Sequence, residues 1–243
     1  MVVYGQAGNG DFYWDGKDIM TYRNELKHVI TAGDRAAICA NLRAVAQLDR
    51  HAAERGSYHI RSLYFDSLSD RALREKIDGV NEREKFRIRF YNGDTGAIHL
   101  EKKVKKNGLG CKISCDLSRE EAQRIVDGDT AWMPGSGRAL IVELYSKMKG
   151  QGLRPKTIVD YERIPFVYGP GNVRVTIDYN IRTGLNCTDF LNPDCVTVPA
   201  GEPVILLEVK WDEYLPDVIR RAVQVKNRPA GAFSKYRIAR IYG

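Results

Sequence analysis

The sequence predicts an α+β domain: a closed antiparallel eight-stranded β tunnel, or barrel, with a polar charged lumen and helices packed outside. Three observations predict it. Eight segments carry the alternating period of a strand. Nearly all of them set an apolar face against one of arginine, lysine and glutamate, where a solvated strand commonly uses threonine, serine and glutamine. Helical segments interrupt the strands and need apolar sheet surface to pack on. An antiparallel sheet with one wet face shows the same alternation. The recurrence of charge and the number of helices favour the inward reading, and closure would remove the sheet edges.

Taken in order, residues 1–21 are rich in glycine and aromatics without periodicity and read as an N-terminal arm before a single domain at 22–243. Strands are expected at 22–29, 58–66, 83–91, 97–106, 109–116, 154–168, 173–182 and 203–212. Helices are expected at 34–48, after a Gly33-Asp34 cap signal, and at 67–77, 118–127, 136–149, 214–227 and 232–240. In SREE (118–121), Ser118 is placed to cap and Glu121 to close a capping box. Gly169-Pro170-Gly171-Asn172 reads as a hairpin turn.

Strand faces follow from parity, because residues two apart share a side. In EKFRIRFYNG (84–93), Phe86, Ile88 and Phe90 alternate with Lys85, Arg87 and Arg89. The candidate inward cations are Arg23, Lys27, Arg87, Arg89, Lys103, Lys112, Arg163, Arg174 and Lys210; the acids are Glu25, Glu101, Asp178 and Glu208. Buried cations lose hydration unless something anionic faces them. Such a lumen suits a linear polyanion, with carboxylates left to hold a hard divalent metal through oxygen. Lys102, Lys105 and Lys106 read as solvated face, and Glu82 and Glu84 are alternative surface partners for Arg87 and Arg89.

The formal charge of +7 and pI near 9.1 also call for an anionic partner. Nucleic acid fits poorly, because the patterned cations oppose the aromatics on the same strands instead of interleaving with them. No stretch has the form of a signal peptide or spanning helix, so the expectation is a soluble, cytoplasmic chain without a membrane segment. Five cysteines without a C-x-x-C pair read as reduced thiols. His28, His51, His59 and His99 share no motif.

These residues resemble a known family, the VTC (vacuolar transporter chaperone) catalytic domain of the triphosphate tunnel metalloenzyme (CYTH-like) superfamily, from about Tyr22 to Tyr242. The elements that carry the likeness are R-x-E-x-K at 23–27, Y-F-D-S at 64–67, F-R-I-R-F-Y at 86–91, L-E-K-K at 100–103, Y-E-R at 161–163, V-R-V-T-I-D at 173–178, L-E-V-K at 207–210 and F-S-K-Y at 233–236. The resemblance implies a tunnel open at both ends and a phosphotransferase that builds polyphosphate from the terminal phosphate of ATP. It implies phosphate contacts from Lys27, Arg87, Arg89, Lys103, Arg163, Arg174, Lys210 and Lys235; Arg23, Lys112 and Tyr161 are further candidates from strand parity. It places Mn²⁺ or Mg²⁺ on Glu208, with Glu25, Glu101 and Asp178 as metal or orienting groups. A tripolyphosphatase, a nucleoside triphosphatase and a non-catalytic oligophosphate-binding module are the alternatives. Ala232 stands where synthesising members carry a second lysine, and the chain has no room for the phosphate-sensing SPX domain or membrane helices of eukaryotic relatives.

Overall fold

The computed structural model describes residues 22–52 and 54–242, and the backbone of 6–7, 11–14 and 18–20. Much of the expected arm therefore lies outside the described residues. Within it, β1 (Gln6–Ala7), β2 (Asp11–Trp14) and β3 (Asp18–Met20) pair as a small antiparallel sheet. The chain continues through β4 (Asn24–Ile30), α1 (Ala32–Val45), β5 (Gln47–Leu48), β6 (Tyr58–Asp66), α2 (Arg71–Ile77), β7 (Arg83–Tyr91), β8 (Ile98–Lys106) and β9 (Leu109–Leu117). Then come α3 (Arg119–Val126), α4 (Ala139–Gln151), β10 (Arg154–Tyr168), β11 (Val173–Thr183), β12 (Val198–Pro199), β13 (Ile205–Trp211), α5 (Asp217–Ala222) and α6 (Lys235–Ile241).

The eight long strands form one antiparallel sheet in the order β4-β13-β11-β10-β6-β7-β8-β9, with β5 and β12 attached to β10 and β11. The sheet does not close into the expected barrel: it curls into a half-barrel and stays open. Its two edge strands meet at one antiparallel bridge, in which Arg23 and Gly110 exchange backbone hydrogen bonds of 3.0 and 3.2 Å. The physical reason lies on β4. The Gly231 N–H donates to the Lys27 carbonyl at 2.9 Å, so the segment before α6 occupies edge that a β4–β9 ladder would need.

Helix starts differ from expectation where caps decide them. Thr31 caps α1 and Asp34 closes its capping box, so the helix begins at Ala32 without a cap at Gly33. Ser118 and Glu121 form the expected box on α3. The helix expected from 67 starts at 71, because Asp66 and Ser67 turn their side-chain oxygens onto its first N–H groups.

The apolar faces pack outward under helices. Phe86, Ile88 and Phe90 are buried with Leu140, Ile141 and Leu144 of α4 and with Ala122 and Ile125 of α3. Val175, Ile177, Leu207 and Val209 pack against Ile38 and Leu42 of α1 and Ile219 of α5. Each such side chain contributes roughly 1.5–3 kcal/mol on burial, and that sum turns the alternate residues to the concave side. Lys102 breaks the pattern expected for it. It is buried on the helix-covered face, where it pairs with Glu143 of α4 and, at 3.0 Å, with Glu84.

Candidate functional site

The ladder registers bring the charged residues into cross-strand rows, where opposed side chains stand about 5 Å apart. Lys27 faces Glu208 and Glu25 faces Lys210 between β4 and β13; Lys210 faces Arg174 between β13 and β11. Asp178 faces Arg163, Arg87 faces Glu101, and Lys103 stands between Lys85 and Lys112. The cations of these rows, with Glu25 and Glu208, line a cavity of about 460 Å³ on the concave side of the sheet. Among the described residues, fourteen lysines and arginines line it against two carboxylates, Glu25 and Glu208. Arg23, Lys27, Arg87, Arg89, Lys103, Lys112, Tyr161, Arg163, Arg174, Lys210 and Lys235 are all in the wall.

Four carboxylates organise these cations. Glu208 accepts Lys210 at 2.6 Å and Lys27 at 3.2 Å; Glu25 accepts Lys103 at 3.0 Å, Lys27 at 3.3 Å and Lys210 at 3.8 Å. Glu101 holds Arg87 at 2.6 Å, Lys112 at 3.0 Å and Arg89 at 3.5 Å. Asp178 takes a two-pronged contact from Arg163 at 2.6 and 2.8 Å and Lys235 at 2.5 Å. Glu101 and Asp178 are buried and are not among the residues that line the cavity, and each accepts from cations that do. The alternative partners Glu82 and Glu84 are engaged elsewhere, with Lys106 and with Lys102 and Lys147.

The charge balance shows in the ionisation of these groups. Burial opposes the charge on Glu101, but Arg87, Arg89 and Lys112 outweigh it and hold the carboxyl well below its ordinary range. Asp178 is likewise brought to about 2, against burial, chiefly by Arg163 and Lys235. Lys103 goes the other way: burial, then Lys27 and Lys210, lower its ammonium to about 7 although Glu25 opposes them. Burial and neighbouring cations also bring Lys76 and Lys85 to about 8. The wall therefore holds more positive charge than its own acids neutralise.

Sequence reasoning missed part of the wall. Tyr64 accepts from Arg87 Nη1 at 2.9 Å, and Tyr91 accepts from Arg89 at 3.3 Å, beside the expected Tyr161, which accepts from Arg89 at 3.4 Å. Lys85, Arg83 and Lys105, the last expected on a solvated face, also line the cavity, as do Lys76, Ser234 and Tyr236. Lys85 shares parity with Arg87, and Lys105 with Lys103, so that signal was available; Lys76 comes from a helix and had none. No histidine lines the cavity.

The VTC domain family matches residues 22–241. The chain belongs to the VTC domain family. Its membership supports an enzyme related to polyphosphate and triphosphate chemistry. Among solved structures the chain is similar to a candidate adenylate cyclase from Bacillus halodurans, with 13% identity over 78% of this chain and 80% of that one and a TM-score of 0.47. It is also similar to the PH1819 protein from Pyrococcus horikoshii OT3, with 12% identity over 84% and 89% and a TM-score of 0.41. A search of curated proteins found no match. Among the described residues no helix is long and apolar enough to cross a membrane.

Proposed function

We propose that this VTC domain is a metal-dependent polyphosphate polymerase that transfers the γ-phosphate of ATP to a growing polyphosphate chain in its cationic cavity. The observation that carries the reading is the wall of fourteen cations against two acids. Only a ligand with several closely spaced negative charges balances such a surface. In the transfer, a terminal oxygen of the chain attacks the γ-phosphorus, the bond to the β,γ-bridging oxygen breaks, and ADP leaves. The transition state is loose and spreads charge over its oxygens, so positioning and fixed positive charge supply most of the catalysis. Arg87 and Arg89 present guanidinium forks set by Glu101 and by Tyr64, Tyr91 and Tyr161. Arg163 and Lys235, set by Asp178, and Arg174, held by Tyr58 and Asp49, bind further phosphates. Lys27, Lys103 and Lys210 serve as point charges around Glu208, and Arg23, Lys112 and Tyr161 extend the contact surface.

The donors fit a hard divalent ion that arrives with its phosphates. Glu208 is a buried carboxylate facing the cavity, with Glu25 in the same ion-pair network; no group of three or more His, Cys, Asp or Glu side chains among the described residues is arranged to hold a metal. Mg²⁺ is commonly bound by one or two carboxylates plus substrate phosphates. Mn²⁺ or Mg²⁺, when bound, neutralises charge developing on the phosphate oxygens.

Incubation with ATP and Mn²⁺, with the products run on a phosphate-stained gel, tests the reading. A ladder of polyphosphate is expected, and release of orthophosphate alone overturns it. Ala232 in the cavity wall favours a second reading, since it leaves one position of the wall without a cation. In that reading the same cavity passes the phosphoryl group to water, as a tripolyphosphatase or nucleoside triphosphatase. A non-catalytic oligophosphate-binding module would bind without turnover, and E208Q would leave its binding intact.

A further inference from the structure

Cys187 and Cys195 face one another in a loop that the cavity does not use. The loop runs from Gly184, after β11, to Thr197, before β12, and two turns fix its cysteines. The Cys187 N–H donates to the Gly184 carbonyl at 2.8 Å and the Cys195 N–H to the Asn192 carbonyl at 3.2 Å. The Asn192 side chain braces the second turn, donating to Asp189 at 2.8 Å and accepting from the Asp194 N–H at 2.9 Å. Phe190 and Leu191 anchor the middle of the loop in the core under α3 and α4. The result is two sulfurs 2.9 Å apart, both free thiols and both partly exposed. The other cysteines offer no such pair: Cys39 is on α1, and Cys111 and Cys115 are separated along β9 by about 13 Å of strand rise, beyond disulfide reach.

We propose that Cys187 and Cys195 are a dithiol modification site that closes to an intramolecular disulfide when a small-molecule disulfide is supplied. The thiolate of one cysteine attacks a sulfur of the oxidant, forming a mixed disulfide and expelling one small thiolate. The other cysteine gives up its proton, attacks the first protein sulfur and expels the second small thiolate. Two protein thiols are oxidised, and one disulfide is reduced to two thiols. Little movement is needed, because the turns already hold the sulfurs in contact. Burial, and then the hydrogen bond shared with the Cys187 sulfur, push the Cys195 thiol up to about 12, so closure speeds up as pH rises.

The bond would staple a loop that braces the outer face of the sheet. Arg61 of β6 donates to the Asn192 carbonyl at 2.7 Å while its other nitrogens grip Asp160 of β10 at 2.9 and 3.0 Å. Neither cysteine lines the cavity, so the site is independent of the proposed phosphate chemistry.

The test treats the whole chain with oxidised glutathione, then unfolds it, alkylates the remaining thiols and maps the peptides by mass. Two of the five cysteines should resist alkylation, in a linked peptide pair containing Cys187 and Cys195. The thermal midpoint should rise by about 5 °C. Dithiothreitol should reverse the rise, and a C187A/C195A variant should lack it. Alkylation of all five thiols, or a glutathione adduct that persists on either cysteine, overturns the proposal. The mapping is done on the native sequence, so it does not depend on the variant folding.

Discussion

Glu101 is fully enclosed, and it is what allows Arg87 and Arg89 to stand two residues apart on one strand face. Removing one partner of a buried ion network leaves the others uncompensated, at a cost of about 3–5 kcal/mol. E101Q should therefore lower the urea midpoint sharply, and tripolyphosphate should restore more stability to the variant than to the wild type; chemical denaturation with and without ligand measures both. Lys103 makes a pH prediction. Its ammonium is brought to about 7 by burial and by Lys27 and Lys210, and bound phosphates would favour the charged form. The complex then binds more protons than the free protein, so affinity falls as pH rises from 7 towards 9. Calorimetric titration with tripolyphosphate should show that fall in the wild type and a flatter profile in K103R, because arginine stays charged; identical profiles would refute the linkage. Arg87, Arg89 and Lys103 were legible as residues that share a charged strand face. Glu101 and Glu25 were legible as acids on the same faces, but which cation each holds was not, because that follows from pairing and curvature that alternation does not encode.

Among the elements, α2 and α6 depend on one carboxylate. Asp66, at the end of β6, accepts the N–H groups of Ser67, Ala72 and Leu73 and the hydroxyl of Tyr236, the last at 2.6 Å. It starts the helix that carries Lys76 and pins the helix that begins with Lys235. Y236F removes the only one of those bonds that crosses to α6. It should cost about 1–2 kcal/mol and weaken tripolyphosphate binding several-fold through Lys235, read by thermal denaturation and calorimetry; unchanged affinity would separate α6 from the site. Strand positions were legible almost to the residue, since period and turn residues are local signals. The Ser118 capping box was legible for the same reason. The true starts of α1 and α2 were obscured by a choice among neighbouring capping residues, and the Asp66–Tyr236 bond joins positions too far apart in sequence for any pattern to show.

For the whole molecule, alternation tells which residues share a face but not whether a curled sheet closes. That helices cover the apolar strand faces was legible from the need of six helices for apolar surface; the open edge between β4 and β9 was not, because it follows from where residues 231–235 lie. An open half-barrel with fourteen cations on its concave side is an arrangement whose like charges repel until an anion enters. The proposed function requires that this surface join phosphates rather than only hold them. Phosphorus NMR of a reaction with ATP and Mg²⁺ or Mn²⁺ tests it most directly. A growing resonance from internal chain phosphates is expected, matched by ADP and lost in R87A. A spectrum in which orthophosphate and ADP are the only products, or in which ATP persists unchanged, would contradict it.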